Sequence, residues 1–168
     1  FFILIILMVA CSRDESIIPK QRGYMRIQLP RREYKFYKNK YSFEIPSTSI
    51  VNRDSSFNKK EWFNLYYPYF NATIYFSYIN GNEINKYEED SRKFVNKHIE
   101  KSTGIEETEI IISKKDIYAM IFDINGSKTA SPIQFYLTDR KNNFIRGSLY
   151  FDISPNNDSL EPVIKYIR

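Results

Sequence analysis

Two alternating segments in the second half of the chain constrain its fold more than any other feature. Residues 133–138 and 144–151 alternate apolar with polar side chains, which is typical of β-strands with one buried face. The polar residues 139–143 between them predict a loop, so Thr138 is expected opposite Phe144. The same register gives three apolar pairs: Leu137 with Ile145, Phe135 with Gly147, and Ile133 with Leu149. A slip by one residue would expose this apolar face, so the segments predict a β-hairpin in this register.

The opposite face of this predicted hairpin is polar and aromatic. The register sets Tyr136 against Arg146 and Gln134 against Ser148. An exposed tyrosine beside an arginine forms a cation–π pair worth about 0.5–1 kcal/mol. We interpret these four residues as a candidate partner surface. The alternative is a cross-strand pair covered by the C-terminal helix, and the sequence leaves it open.

A second hairpin and two amphipathic helices are predicted around the first hairpin. Residues 62–79 form the second hairpin, with a turn at 68–71. Its expected apolar pairs are Phe63 with Phe76, Leu65 with Ile74, and Tyr67 with Ala72. Apolar residues at helical spacing predict a long helix over 83–101 and a C-terminal helix over 159–167, with Pro162 in its first turn.

These elements and the remaining strands predict an α+β fold. The further strands are expected at 24–29, at 41–45, from Ile50 onward, at 109–113 and at 118–124. We expect an antiparallel sheet of six or more strands, with the long helix on one face and the C-terminal helix against it or on the other face. The order of elements resembles the α-β-α sandwich of the PsbP/Mog1 type, and this likeness concerns the fold alone.

The charge of the chain is mildly basic and scattered. It has 25 basic and 20 acidic residues and a formal net charge of +5. Nucleic-acid-binding proteins concentrate basic residues on one face, so we predict no nucleic-acid partner. The basic residues between 20 and 40 suit an anionic membrane surface, although a solvated basic segment is the simpler interpretation.

Few residues offer catalytic or metal-binding chemistry. The chain has one histidine, one cysteine and five glycines, too few for a Cys/His zinc site, a histidine-activated nucleophile or a nucleotide-binding glycine motif. The acidic residues form clusters that are typical of solvated surfaces. We therefore predict a protein that is not an enzyme and that has no metal or cofactor.

The first eleven residues predict attachment to a membrane by a lipid. Residues 1–10, FFILIILMVA, are apolar throughout and would span roughly 15 Å as a helix, half of a bilayer core. We interpret residues 1–11 as a truncated lipoprotein signal peptide with a lipobox that ends at Cys11, the lipidation site. Residues 12–22 are expected to be a tether, and residues 23–168 a single domain.

Several sequence blocks resemble one known family in their order and spacing. The blocks include Arg22-Gly23-Tyr24 with Leu29-Pro30, YSFE at 41–44, WFNLY at 62–66, NATI at 71–74, ASPIQFYLTD at 130–139, FIRGSLYF at 144–151 and NDSL at 157–160. Together they resemble the gliding motility lipoproteins GldD of the Bacteroidetes. The resemblance runs from the lipobox to the last residue.

The resemblance implies a function in the cell envelope. It implies a protein that a lipid anchors to a membrane, that faces the periplasm, and that is required for gliding motility or type IX secretion as a non-catalytic accessory or scaffold subunit. The membrane protein GldE is an implied partner, along with other components of the gliding and secretion apparatus. The alternative is an envelope module that binds a small ligand, which requires a pocket between sheet and helix with convergent polar groups.

Overall fold

A seven-stranded antiparallel sheet separates two apolar cores. The computed structural model describes residues 23–38, 41–53 and 62–168. In these residues the elements, in chain order, are β1 Tyr34–Lys38, β2 Ser42–Pro46, β3 Ile50–Arg53, β4 Trp62–Tyr67, β5 Ala72–Asn80, α1 Ile84–Asn96, β6 Gly104–Ile112, β7 Ile117–Asn125, β8 Ile133–Thr138, β9 Asn143–Phe151 and α2 Asn157–Ile167. The strand order in the large sheet is β3-β4-β5-β9-β8-β7-β6, and β1 and β2 form a separate two-stranded sheet. The predicted α+β class is therefore confirmed.

The two hairpins pair in the predicted register. In β8–β9, Thr138 lies opposite Phe144, Leu137 opposite Ile145 and Phe135 opposite Gly147. In β4–β5 the three predicted apolar pairs are all present, and the turn between the strands is a short 3-10 helix that ends at Asn71 with a left-handed backbone. Side-chain alternation decides register because one face of each hairpin is buried.

A long-range pairing joins the hairpins into one sheet. Strands β5 and β9 pair antiparallel along nine residues, from Ala72 opposite Phe151 to Asn80 opposite Asn143. This places Gly147 on the central strand, between Phe76 on β5 and Phe135 on β8. The rings of Phe76 and Phe135 meet edge to face across it, with centroids 5.6 Å apart. A side chain at Gly147 would occupy the space that the Phe135 ring fills.

The first core lies between the sheet and a layer formed by β1, β2 and α2. The rings of Phe63 and Phe76 stack at its centre, with centroids 4.4 Å apart. Ile45 of β2 and Val163 of α2 are buried against the same sheet face. Rings supply much of this packing, as expected from the high aromatic content of the chain.

The second core lies on the opposite face of the sheet, beneath α1. Ile84 and Val95 of this helix are buried with Phe122, Tyr136 and Phe144 of strands β7 to β9. The two helices therefore cover opposite faces, which gives a helix–sheet–helix sandwich with the β1–β2 sheet beside α2.

Four predicted element bounds are wrong. Helix α2 begins at Asn157, two residues before its predicted start, so Pro162 lies inside the helix and not in its first turn. Residues 24–29 form no strand, because they run along α2 instead of beside another strand and so lack a backbone partner. The first strand is Tyr34–Lys38 instead. The long helix ends at Asn96 and a separate 3-10 turn follows at Ile99–Lys101, while β6 begins five residues earlier than predicted, at Gly104.

Asn157 ties the start of α2 to the loop after β7. Its side-chain amide donates hydrogen bonds to the carbonyl oxygens of Gly126 and Thr129, at 2.8 and 2.9 Å, and its backbone N–H donates to the Ser127 carbonyl. Gly126 has a φ of 139°, which side chains disfavour. The carbonyl groups of this loop thus accept hydrogen bonds from the first residue of α2, and these bonds fix the helix against the edge of the sheet.

The β8–β9 turn is organised by the carboxylate of Asp139. One of its oxygens, Oδ1, accepts hydrogen bonds from the backbone N–H groups of Lys141, Asn142 and Asn143, each at 2.9 Å. Burial opposes ionisation of this carboxyl, but the hydrogen bonds from Asn143, Lys141 and Asn142 outweigh it and lower its pKa to about 2. The charged form of Asp139 therefore stabilises the turn.

Replacement of Gly147 by alanine is expected to destabilise the fold by roughly 1–3 kcal/mol, because the new methyl group would overlap the Phe135 ring. Chemical denaturation measures the change. Gly104→Ala is the matched control, since no atom lies within 4 Å of its added Cβ, and it is expected to change stability by less than about 0.5 kcal/mol. Equal stability of the two variants would contradict the packing described for β9.

Asp139→Ala is expected to cost about 1–2 kcal/mol at neutral pH, because the turn N–H groups lose a charged acceptor. The pKa of Asp139 is lower in the folded protein than its ordinary value of 3.8, so its stabilisation is full above about pH 4. It is lost as the pH falls through about 2, and the stability gap between wild type and variant should narrow over this range. Asp152→Ala, at an exposed position after β9, serves as the control in urea titrations at several pH values.

Candidate functional site

The polar hairpin face that the sequence predicts as a partner surface is largely buried. Tyr136 lies opposite Arg146 and Gln134 opposite Ser148, as predicted. However, Gln134 and Tyr136 are only 4% and 6% exposed. The prediction of a solvent-exposed surface at these two residues is wrong, because α1 packs on this face and makes it part of the second core.

Tyr136 is a core residue of the second apolar cluster. Its ring stacks on that of Phe144, with centroids 5.3 Å apart, and lies beside that of Phe122, with centroids 6.2 Å apart. Burial, aided by the negative charge of Glu88, raises the pKa of its hydroxyl. The alternative interpretation, a cross-strand pair covered by a helix, fits these contacts. The covering helix is α1, however, and not the predicted C-terminal helix.

Arg146 makes its cation–π contact with the helix and not with Tyr136. Its guanidinium lies over the ring of Phe94 on α1, 4.3 Å from the centroid. Burial lowers the pKa of Arg146, while the negative charge of Asp90 opposes that shift. The predicted pair between Arg146 and Tyr136 is therefore replaced by one that joins β9 to α1.

An exposed aromatic surface begins where α1 stops covering the sheet. Tyr75 of β5 is 50% exposed, and its ring meets that of Tyr150 on β9 edge to face, with centroids 5.8 Å apart. Ser148 lies opposite Tyr75 in the β5–β9 ladder, between Arg146 and Tyr150 along β9. We define the aromatic surface as Tyr75, Phe94, Arg146, Ser148 and Tyr150.

The aromatic surface includes two of the four predicted residues and adds three others. The alternation of β9 already places Arg146, Ser148 and Tyr150 on one face. Tyr75 was not predicted, because only the long-range pairing of β5 with β9 brings it there. Helical spacing alone places Phe94 beside the apolar side of the predicted helix, but in the structure it is exposed at the rim of α1, where its ring lies beneath both Lys97 and Arg146.

A polar cleft lies between α2 and the edge formed by β6 and β7. It encloses about 960 Å³ and is lined by both charged and neutral polar groups, among them Glu106, Asp123, Asn157, Lys165 and Arg168. The Arg168 Nε donates to both oxygens of the Asp123 carboxylate at 2.8 Å. This is a cavity between sheet and helix with convergent polar groups.

A smaller pocket on the same face of the sheet is almost wholly apolar. It encloses about 290 Å³ between the end of α2 and strands β6 to β8, and its lining includes Ile110, Ile112, Ala119 and Leu137. Among the described residues, no group of three or more histidine, cysteine, aspartate or glutamate side chains is placed to hold a metal ion.

The predicted lipidation site, Cys11, and the predicted tether at 12–22 lie outside the residues that the structure describes. Within residues 23–38, 41–53 and 62–168, no helix is long and apolar enough to cross a membrane.

Tyr136→Ala is expected to destabilise the protein by about 3 kcal/mol or more, because it opens a cavity between α1 and the sheet. Tyr150→Ala, on the aromatic surface, is expected to cost less than about 1 kcal/mol. Urea unfolding of both variants measures the difference. A mild effect of Tyr136→Ala would contradict its assignment to the core and restore it as a surface residue.

Comparison with known proteins identifies the family. The family model described as gliding motility lipoprotein GldD matches residues 14–168, which is most of the chain. No curated protein matches the chain. The match covers all nine strands and both helices of the described structure, together with the aromatic surface and the cleft beside α2. The chain therefore belongs to the family of the gliding motility lipoprotein GldD.

Proposed function

We propose that this protein is a lipid-anchored envelope subunit that faces the periplasm and is required for gliding motility, type IX secretion or both. In this role it acts as a non-catalytic accessory or scaffold subunit that holds other components of the apparatus, with GldE as a candidate partner. Membership of a gliding motility lipoprotein family supports the location and the process. The aromatic surface supports the scaffold role and is the observation on which it rests.

The aromatic surface has the composition of a protein-binding site. Tyrosine and arginine dominate binding energies at interfaces, because each offers a large apolar area together with a polar group. Here Tyr75 and Tyr150 support each other and Arg146 is held by Phe94, so little side-chain freedom is lost on binding. Four of its five residues stand on the neighbouring strands β5 and β9 inside the sheet, which keeps their spacing rigid, and Phe94 stands on α1.

The double variant Tyr75→Ala with Tyr150→Ala is expected to abolish complementation of a gliding strain that lacks its own copy of the gene. Both side chains are exposed, so the variant should fold and reach normal abundance. Gliding speed and the export of a type IX cargo protein are measured, with the abundance of the variant determined by immunoblot.

The control is Ile110→Ala with Ile112→Ala, which also removes two exposed apolar side chains but from the opposite sheet face, on β6. It is expected to complement fully. A crosslinking pull-down from native membranes completes the test, and wild type but not the tyrosine variant should recover apparatus components. Full complementation by the tyrosine variant would contradict the surface assignment.

Binding of a small ligand is the second candidate function, and the cleft beside α2 favours it. The paired Asp123 and Arg168, with Asn157 and Lys165 nearby, supply the convergent polar groups that such a site requires. If the pull-down recovers no protein partner with wild type, the scaffold role is contradicted and the ligand-binding role gains support. Native mass spectrometry of the protein purified from membranes would then reveal a bound molecule.

A further inference from the structure

The N-terminal basic segment, which we define as residues 23–38, carries most of the net charge of the chain. It contains five basic residues and one acidic residue, whereas the whole chain has a formal net charge of +5. The basic residues are Arg26, Arg31, Arg32, Lys35 and Lys38. The only acidic residue in the segment is Glu33, whose Oε1 lies 4.0 Å from the Nε of Arg31.

The same segment exposes large apolar side chains between its basic residues. Met25 is 92% exposed and Phe36 is 66% exposed, values typical of side chains with almost no neighbours. Tyr24, Leu29 and Tyr34 are exposed as well. One short stretch thus accounts for five of the large apolar side chains that the described structure leaves in solvent.

The exposure is set by the fold, since the inner side of the segment is fixed to the domain. Tyr37 faces inward and stacks on Phe63 with centroids 5.7 Å apart. Lys35, on the same side of β1, donates from Nζ to the carbonyl oxygens of Ser47 and Ser49 at 3.0 and 2.8 Å. Because side chains alternate along a strand, Phe36 and Lys38 are directed away from the sheet.

The remainder of the segment is held on α2. The guanidinium of Arg32 lies over the ring of Tyr166, 5.3 Å from its centroid. Ile27 packs against the first core, which leaves its neighbours Arg26 and Gln28 exposed. The segment therefore presents basic and apolar groups on the outer side of the layer formed by β1, β2 and α2.

This surface lies close to the predicted lipid anchor along the chain. Only the eleven residues 12–22 separate Cys11 from the segment, and eleven residues reach at most roughly 40 Å when fully extended. A domain on so short a tether stays beside the bilayer that holds its lipid. The first surface to meet that bilayer is the one nearest the tether.

We propose that the N-terminal basic segment binds the surface of an anionic phospholipid membrane. Arginine and lysine side chains are attracted to anionic headgroups, and tyrosine and other apolar residues enter the interface between headgroups and acyl chains. A basic patch and a lipid chain together also bind more firmly than either alone. Charge complementarity favours the membrane over a second copy of this chain, whose matching segment would be equally basic.

The contact would orient the domain as well as hold it. The basic segment lies on the face of the sheet that α2 covers, and the aromatic surface lies on the opposite face, where α1 packs. With the segment on the bilayer, Tyr75 and Tyr150 point away from the membrane, towards partners in the periplasm. The proposal rests on the proposed lipid anchor but does not depend on the scaffold role.

A single fluorescent label on the lipidated protein tests this orientation. With Cys11 acylated, a cysteine introduced by Phe36→Cys is the only free thiol of the chain. The labelled lipoprotein is reconstituted into phosphatidylcholine vesicles with or without phosphatidylglycerol, and quenching by brominated lipids is measured. We expect several-fold stronger quenching with phosphatidylglycerol, and a loss of this gain at high salt.

Tyr75→Cys with the same label is the matched control, because this residue is also exposed but lies on the opposite face of the sheet. Its label is expected to remain unquenched in both kinds of vesicle. Equal quenching at the two positions would overturn the proposed orientation. The assignment to an anionic membrane would be overturned if the label at position 36 were unquenched, or if its quenching were the same with and without phosphatidylglycerol.

Charge reversal within the segment tests the electrostatic part of the proposal. Arg26→Glu with Arg31→Glu changes two exposed residues and is expected to remove most of the quenching at position 36. Lys114→Glu with Lys115→Glu makes the same change in net charge in the exposed β6–β7 connection and is expected to leave the quenching intact. Equal effects of the two variants would show a dependence on net charge alone and overturn the proposal. These vesicles contain no other protein, so the outcome is independent of the complementation test.

Discussion

The pairing of β5 with β9 is the contact on which the rest of the structure depends. It joins two local hairpins into one seven-stranded sheet and places Gly147 between Phe76 and Phe135. The absence of a side chain at Gly147 lets the Phe135 ring reach Phe76, which in turn stacks on Phe63. A continuous row of rings thus crosses strands β8, β9, β5 and β4 and forms the floor of the first core. Both outer layers pack on a sheet that only this long-range ladder completes.

The two faces of the sheet differ because the elements that cover them differ in extent. On one face, α2 and the β1–β2 sheet lie side by side over the first core. On the other face, α1 has 13 residues, which corresponds to about 20 Å, and it packs mainly on β8 and β9. It therefore buries Tyr136 and leaves Tyr75 and Tyr150 in solvent. The length of α1 thus decides where the second core ends and the aromatic surface begins.

These two faces give the domain two different outer surfaces. The layer of β1, β2 and α2 carries the N-terminal basic segment, and the opposite face carries the aromatic surface. The proposed lipid-anchored scaffold would use the first surface on the membrane and the second on its partners. Membership of the GldD lipoprotein family supports the membrane location.

The sequence by itself determined the hairpins and their registers, the α+β class and the family. Alternation with a period of two specifies both the register and the buried face, as the pairs Phe135–Gly147 and Phe63–Phe76 show. It did not specify what covers a face. Tyr136 and Gln134 have the pattern of surface residues, yet both are buried, because α1, which is distant in sequence, packs on this face of the sheet and contacts Tyr136. Tyr75 joins Tyr150 only through the β5–β9 ladder. Local periodicity determines which residues share a face, whereas burial depends on long-range contacts that only the tertiary structure decides.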